Sequence, residues 1–198
     1  HPDFYLTTDA PPDRIRRLIE GVADAVWLQG EKFGTIGARL GAHTFEITTH
    51  RAEAYLSDSR KPVVSFSTRL EDDLLRRDFT VNAMAFDVVD ETLHDPLGGQ
   101  ADLDARLLRT PLAPEESFSD DPLRTLRAAR FLAGYELTAA PGLLEAAGSV
   151  AERLRIVSAE RIRDELWRLF ALPDPGVGFA FLDEARLVAR IQHPNVVH

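Results

Sequence analysis

The first half of the chain alternates short apolar runs with turn residues, a pattern typical of strands mixed with a few helices. One helix is predicted to begin at Pro11 and Pro12, because proline is tolerated in a first turn and the following apolar residues recur at helical spacing. The predicted strands are Phe4–Leu6, Ala25–Leu28, Thr35–Leu40, His43–Thr49 and Phe86–Val89, and residues 62–66 are ambiguous. This half therefore predicts a mixed α/β domain.

Beyond Pro111 the apolar positions change to the spacing of helices. The predicted helices begin at Asp121-Pro122 and run to about Ala133, begin at Pro141, cover Ser158–Phe170, and lie within Gly176–Ile191. The chain is therefore predicted to hold an α/β domain over residues 1–112 and a helical domain over residues 113–198.

The composition narrows the class of protein. Hydrophobic residues make up 44% of the 198 residues and charged residues 28%, which is typical of a soluble globular protein. The absence of cysteine excludes a disulfide framework and a thiolate metal site. No apolar run approaches the roughly 18 residues of a membrane helix, so we expect no membrane contact and a cytoplasmic location. The oligomeric state stays open.

The formal net charge of −9 bears on the partners of the chain. A nucleic-acid binder is usually basic, so this charge argues against extensive phosphate contact. Two explanations stay open. Either carboxylates hold metal ions that allow a polyanionic substrate to bind, or the chain is an ordinary acidic protein.

The segment Arg76–Ala85 concentrates polar side chains suited to a nucleotide. Paired arginines suit phosphate oxygens because their guanidinium groups bind them bidentately. Asp78 is suited to orient an arginine or to cap the next turn, and Asn82 offers both a donor and an acceptor. The structural alternative is a charged loop that precedes a buried segment.

This segment resembles the signature R-R-D-F-T-(I/V)-N-A-(M/L)-A of class II tRNA nucleotidyltransferases (CCA-adding enzymes) and bacterial poly(A) polymerases. Other stretches resemble further motifs of that family in the family's order, and they are Gly34-Thr35 with Phe45–Arg51, His94–Leu103, Asp120–Phe131 and Ser158–Leu166. The resemblance implies an α+β fold with a polymerase-β-like nucleotidyltransferase head, formed by a mixed sheet, followed by an all-α neck.

The resemblance also implies an activity. Members add C or A from CTP or ATP to the 3′ end of tRNA or other RNA and release pyrophosphate, and the CCA-, CC-, A- and poly(A)-adding types share these motifs. The implied cofactor is Mg²⁺, held by Asp3 and Glu46 as catalytic metal ligands. Thr44, Glu46 and Thr48 are expected to share one strand face, with Phe45 and Ile47 on the core side.

One position departs from the family pattern. Tyr5 stands where the family has the second aspartate of a D-x-D pair, and a neutral phenol is a poor ligand for magnesium. Three explanations of the tyrosine stay open, a natural loss, an engineered change or a shifted register. A natural loss gives an alternative function, a catalytically impaired member that only binds nucleotide or RNA. The glycine-rich segment that precedes this pair in the family is absent, which we expect to reflect trimming at the ends of the chain.

The remaining implied site residues contact the nucleotide. Asp121 and Arg124 match the pair that hydrogen-bonds the incoming base, although an aspartate before proline is also a common helix N-cap. Besides the active transferase and the impaired member, a third hypothesis is that the chain is a helical scaffold without a nucleotide site. The other implied nucleotide-binding residues are Arg76, Arg77, Asp78, Asn82, Arg127 and Arg130, of which the last two are suited either to the triphosphate or to solvent.

Arg161 and Glu165 lie one helical turn apart. Their spacing predicts an ion pair within one helix, and the family alternative is a brace that positions the neck.

Overall fold

The computed structural model describes residues 4–54 and 63–191. They fall into two compact units, residues 1–76 and residues 77–198. None of the helices in these ranges is both long enough and apolar enough to cross a bilayer.

A four-stranded sheet forms the first unit. Its strands are β1 (Phe4–Thr8), β2 (Ala25–Trp27), β3 (Thr35–Leu40) and β4 (His43–Thr49). Their spatial order is β1-β4-β3-β2, with β1 parallel to β4 and the other two pairs antiparallel. All four strand predictions are confirmed to within two residues, and the mixed sheet agrees with the expected α+β fold.

Alternation along the strands gives the sheet one apolar and one polar face. Ile36 and Ala38 of β3 are buried, and the rings of Phe4 and Phe45 stack at 5.2 Å on adjacent strands. The helix α1 (Pro12–Ile19) contacts β3 and β4 and buries its own Ile15. Its start at the tandem prolines confirms the predicted helix.

The first unit also contains a two-stranded sheet, which is followed by an α-helix. Strands β5 (Arg51–Ala54) and β6 (Val63–Phe66) pair antiparallel, so the ambiguous run at residues 62–66 is a strand from Val63 onward. The helix α2 (Leu70–Leu75) follows and contacts β5.

The second unit is mainly helical. Its helices are α3 (Gly99–Asp104), α4 (Pro114–Asp120), α5 (Leu123–Gly134), α6 (Leu143–Ser149), α7 (Ala159–Phe170), α8 (Gly176–Glu184) and α9 (Val188–Ile191). Its strands are the hairpin pair β7 (Ala85–Asp87) and β8 (Thr92–His94), and the parallel pair β9 (Leu107–Leu108) and β10 (Thr138–Ala139).

One hydrophobic core joins the start of this unit to its helices. Phe79 and Leu108 are fully buried together with Leu126 of α5, Leu169 of α7 and Leu182 of α8. Residues 77–112 therefore pack with the helices in the same compact unit. The predicted domain boundary at 112/113 stays a prediction, and it differs from the boundary between the two compact units at 76/77.

Two predicted elements need correction. The helix predicted within Gly176–Ile191 is two helices, because Arg186 adopts a left-handed φ of 58° between α8 and α9 and interrupts the helical backbone. The strand predicted over Phe86–Val89 ends at Asp87, whose side chain accepts hydrogen bonds from the backbone of the following turn.

Gly178 allows α8 to pack closely on its neighbours. A Cβ atom at this position would lie 2.6 Å from the carbonyl oxygen of Ala129 in α5 and 2.7 Å from Leu169 in α7. Since the first of these atoms belongs to the backbone, a side chain at Gly178 would push the two helices apart.

We predict that Gly178→Ala lowers the free energy of unfolding by about 2 kcal/mol, the usual cost of overpacking a core. Gly148→Ala is the matched control, because its Cβ would make only an ordinary 3.5 Å contact with the Ala185 carbonyl oxygen. The control should be neutral or stabilising by up to about 1 kcal/mol through helix propensity. Denaturant unfolding of both variants checks the prediction, and equal losses would contradict it.

Candidate functional site

Glu46 lies at the centre of the polar face of the sheet. The strand register places it beside Tyr5 on one side and Gly37 on the other, and Gly37 in turn pairs with Trp27. Thr48 shares this face, and its hydroxyl lies 3.0 Å from the hydroxyl of Thr35. The predicted separation of the threonines and Glu46 from Phe45 and Ile47 agrees with this register.

The two flanks of Glu46 are aromatic. Tyr5 is 64% exposed, and the Trp27 indole lies directly on Gly37, where a Cβ would be 1.8 Å from the indole nitrogen. In the strand register Tyr5 adjoins the Glu46 carboxylate, while Phe4 stacks on Phe45. Asp3, the other predicted metal ligand, lies outside the described residues.

Arg76 is held at the end of α2 by a buried carboxylate. Asp73 is fully buried and accepts hydrogen bonds from Arg76 at Nε (3.0 Å) and Nη2 (2.7 Å), and from the backbone N–H of Arg51 at 3.3 Å. Sequence reasoning did not single out Asp73, although its spacing of three residues from Arg76 within a helix was a usable signal. The assignment of Arg76 to a nucleotide stays a prediction.

Asp78 connects its own segment to α5 within the second unit. Its Oδ1 accepts from the backbone of Phe79 at 2.9 Å and from the Asn82 amide at 3.1 Å. Its Oδ2 accepts from Arg127, at 2.7 Å from Nε and also from Nη2. Of the two roles foreseen for Asp78, orienting an arginine is therefore seen, whereas the 3-10 turn Thr80–Asn82 that follows has no side-chain cap.

Arg127 is charged despite its partial burial. Burial disfavours the cation, but the charge of Asp78, the hydrogen bonds to Asp78 and the charges of Glu165 and Asp121 outweigh this and raise the pKa of Arg127 above its ordinary value. The guanidinium is thus held in its charged form beside Asp78.

The segment Asp95–Gln100, which leads into α3, supports the Asp78 turn. Asp95 accepts from the backbone N–H groups of Gly99 (2.7 Å) and Gln100 (2.9 Å), which fixes the start of α3. The buried Asp102 then accepts from the Thr80 hydroxyl at 2.6 Å and pairs with Arg109 at 2.7 Å. This motif is therefore structural support for the segment that carries Asp78.

The start of α5 carries the predicted base-reading pair. Asp121 accepts from the backbone N–H of Leu123 at 3.2 Å, as a helix cap does, and from Arg161 at 2.9 Å. Arg124 is buried and donates from Nη1 to the hydroxyl of Ser117 at 2.9 Å. Asp121 thus caps the helix with one oxygen and pairs with Arg161 through the other, and its base-reading role stays a prediction.

The expected ion pair within α7 is wrong. Arg161 pairs with Asp121, and the buried Glu165 accepts from Arg130 of α5, with Arg127 at 3.9 Å and Arg168 at 3.8 Å. The two residues turn toward different partners because a buried carboxylate needs close cations, which α5 supplies. Both contacts join α7 to the start or the middle of α5, which agrees with the brace alternative.

Two protein-family models match separate parts of the chain. Residues 1–109 match a family described as the poly A polymerase head domain. Residues 137–196 match one described as "Probable RNA and SrmB- binding site of polymerase A".

The chain is similar to several proteins named CCA-adding enzyme. The chain is 39% identical to the CCA-adding enzyme of Bacillus subtilis over 84% of the chain, and 36% identical to that of Staphylococcus aureus over 84%. It spans 41% of the length of each. Among solved structures it is similar to the Bacillus stearothermophilus CCA-adding enzyme in complex with CTP, with a TM-score of 0.81 and 31% identity over 93% of the chain and 44% of that protein. The Thermotoga maritima CCA-adding enzyme complexed with tRNA shares the fold, with a TM-score of 0.74 and 23% identity over 92% of the chain and 42% of that protein.

We predict that Asp78→Asn lowers the free energy of unfolding by about 3 kcal/mol, because it removes the nearest charge partner of the partly buried Arg127. The matched control is Glu136→Gln, which removes a carboxylate from the exposed pair of Arg106 and Glu136, where the side chains are 64% and 79% exposed. The control should cost less than about 1 kcal/mol. Chemical denaturation of both variants checks this, and a loss of less than 1 kcal/mol for Asp78→Asn would refute the anchoring role.

Proposed function

We propose that the chain adds C or A from CTP or ATP to tRNA 3′ ends with release of pyrophosphate. The chain belongs to the poly(A) polymerase head-domain family, which includes the class II tRNA nucleotidyltransferases. The observation that carries the proposal is the joining of Asp78, Arg127 and the Asp121–Arg124 turn in one compact unit. The relatives are named CCA-adding enzymes, so the comparisons give no support to a catalytically impaired member. The proposed place of action is the cytoplasm.

Asp121 and Arg124 are the proposed readers of the base. A carboxylate has about four acceptor positions, so Asp121 accepts from Leu123 and Arg161 and still has capacity for the amino group that C and A both carry. Arg124 donates from Nη1 to the Ser117 hydroxyl at 2.9 Å, and this contact orients its planar guanidinium. Because both side chains are held by protein contacts, they present a fixed hydrogen-bond pattern and replace a nucleic-acid template.

The triphosphate is proposed to lie against the arginines. Arg76 and Arg77 directly precede Asp78 in the sequence, and the exposed Asn82 directs its amide to Asp78. Arg127 and Arg130 use part of their N–H donors on Asp78 and Glu165, which orients both guanidinium groups while leaving others for phosphate oxygens. Fixed cations of this kind stabilise the charge that develops on the leaving pyrophosphate.

The family generally uses a divalent metal ion, and we propose Mg²⁺ held by Glu46 and Asp3. The carboxylate of Glu46 fits, because Mg²⁺ prefers oxygen ligands and is often bound through one or two carboxylates together with substrate phosphates. When bound, such an ion lowers the pKa of the attacking hydroxyl and shields the leaving group. Within residues 4–54 and 63–191, no group of three or more histidine or acidic side chains is placed to hold a metal ion.

Incorporation of labelled CTP and ATP into tRNA that lacks its 3′ CCA tests the function. We predict Mg²⁺-dependent addition of C and A but not of U or G, and a loss of at least about a hundredfold for Glu46→Gln. Addition of all four nucleotides alike, or of none at saturating tRNA, would contradict the proposal.

A second variant tests the base-reading role. Asp121→Asn replaces an acceptor oxygen by an amide, so the kcat/KM for CTP and ATP should fall about tenfold or more, since hydrogen bonds to charged groups contribute about 1.5–3 kcal/mol. The control is Asp164→Asn, which changes an exposed carboxylate of α7 that pairs only with the adjacent Arg163 at 3.1 Å. An equal effect of the two variants on CTP over UTP selectivity would rule out this role for Asp121.

A further inference from the structure

The four-stranded sheet of the first unit carries a single carboxylate within its strands, that of Glu46. Among the residues of β1–β4, all of which the structure describes, Glu46 is the only acidic residue. The strand register pairs Glu46 with Tyr5 on β1 and with Gly37 on β3. The indole of Trp27 covers Gly37. Glu46 thus has uncharged neighbours on both adjacent strands.

Position 5 is within reach of any ion that Glu46 binds. Paired residues of neighbouring strands project from the same face, and the strands lie about 4.8 Å apart. The register pairs Tyr5 with Glu46 directly, so the residue at position 5 contributes to the same small volume in front of the sheet. A neutral phenol adds no negative charge there, and the number of charged ligands is a main determinant of divalent-ion affinity.

We propose that Tyr5 sets a weak divalent-ion affinity at Glu46 in the nucleotide-free chain. The phosphates of the nucleotide supply the charged oxygens that position 5 does not, in keeping with the preference of Mg²⁺ for sites shared with substrate phosphates. This inference rests on the proposed function for the identity of the nucleotide, but the affinity of the protein for the ion alone is independent of catalysis.

Titration of the nucleotide-free chain with Mn²⁺, followed by the electron paramagnetic resonance signal of the free aquo ion, tests the proposal. Tyr5→Asp should bind Mn²⁺ about tenfold more tightly than the unchanged chain, because it adds a second charge beside Glu46. Tyr5→Phe is the matched control, and its affinity should equal that of the unchanged chain. The double variant Tyr5→Asp, Glu46→Gln should lose the gain, and circular dichroism confirms that each variant is folded.

Three results would overturn the proposal. They are an unchanged affinity in folded Tyr5→Asp, a weaker affinity in Tyr5→Phe, and a gain that survives in the double variant, which would place the ion away from Glu46. Failure of nucleotide incorporation would overturn the proposed function and leave these affinities unaffected, so the two failures are distinguishable.

Discussion

The ion pair between Asp78 and Arg127 is the contact on which the second unit depends. It joins residues 49 positions apart in the sequence, and it holds the turn after Arg77 against the middle of α5. A partly buried charge without its partner costs about 3–5 kcal/mol, a large part of the stability of a typical domain. The side chains that surround this pair are therefore fixed by it, including the Asn82 amide that shares the Asp78 carboxylate.

A chain of such pairs continues from Arg127 to α7. Glu165 is buried among arginines of α5 and α7, and Arg161 on the next turn of α7 reaches Asp121 at the start of α5. The guanidinium groups thus serve two purposes. They cancel buried negative charge, and they hold the Asp121–Arg124 turn in one geometry, which a protein needs if fixed side chains are to select a base.

Most of the local structure could be predicted from the sequence, whereas the partners of its charged residues could not. The strands β3 and β4 follow from alternation around Gly41, and α5 follows from the Asp121-Pro122 start. The pairs Asp78–Arg127 and Glu165–Arg130 join residues 49 and 35 positions apart, and no local pattern predicts them. Local reasoning instead predicted Arg161 with Glu165, because spacing within a helix is visible in sequence and burial is not. The break at Arg186 was missed because the apolar spacing continues through it.

We propose that this chain selects cytosine and adenine with its own side chains, without a nucleic-acid template. Isothermal titration calorimetry of the unchanged chain with CTP, ATP, UTP and GTP in the presence of Mg²⁺ tests it most directly. The account predicts binding of CTP and ATP at least about tenfold tighter than binding of UTP and GTP, equivalent to one hydrogen bond to a charged group. Equal affinity for all four nucleotides, or no binding of any, would contradict it.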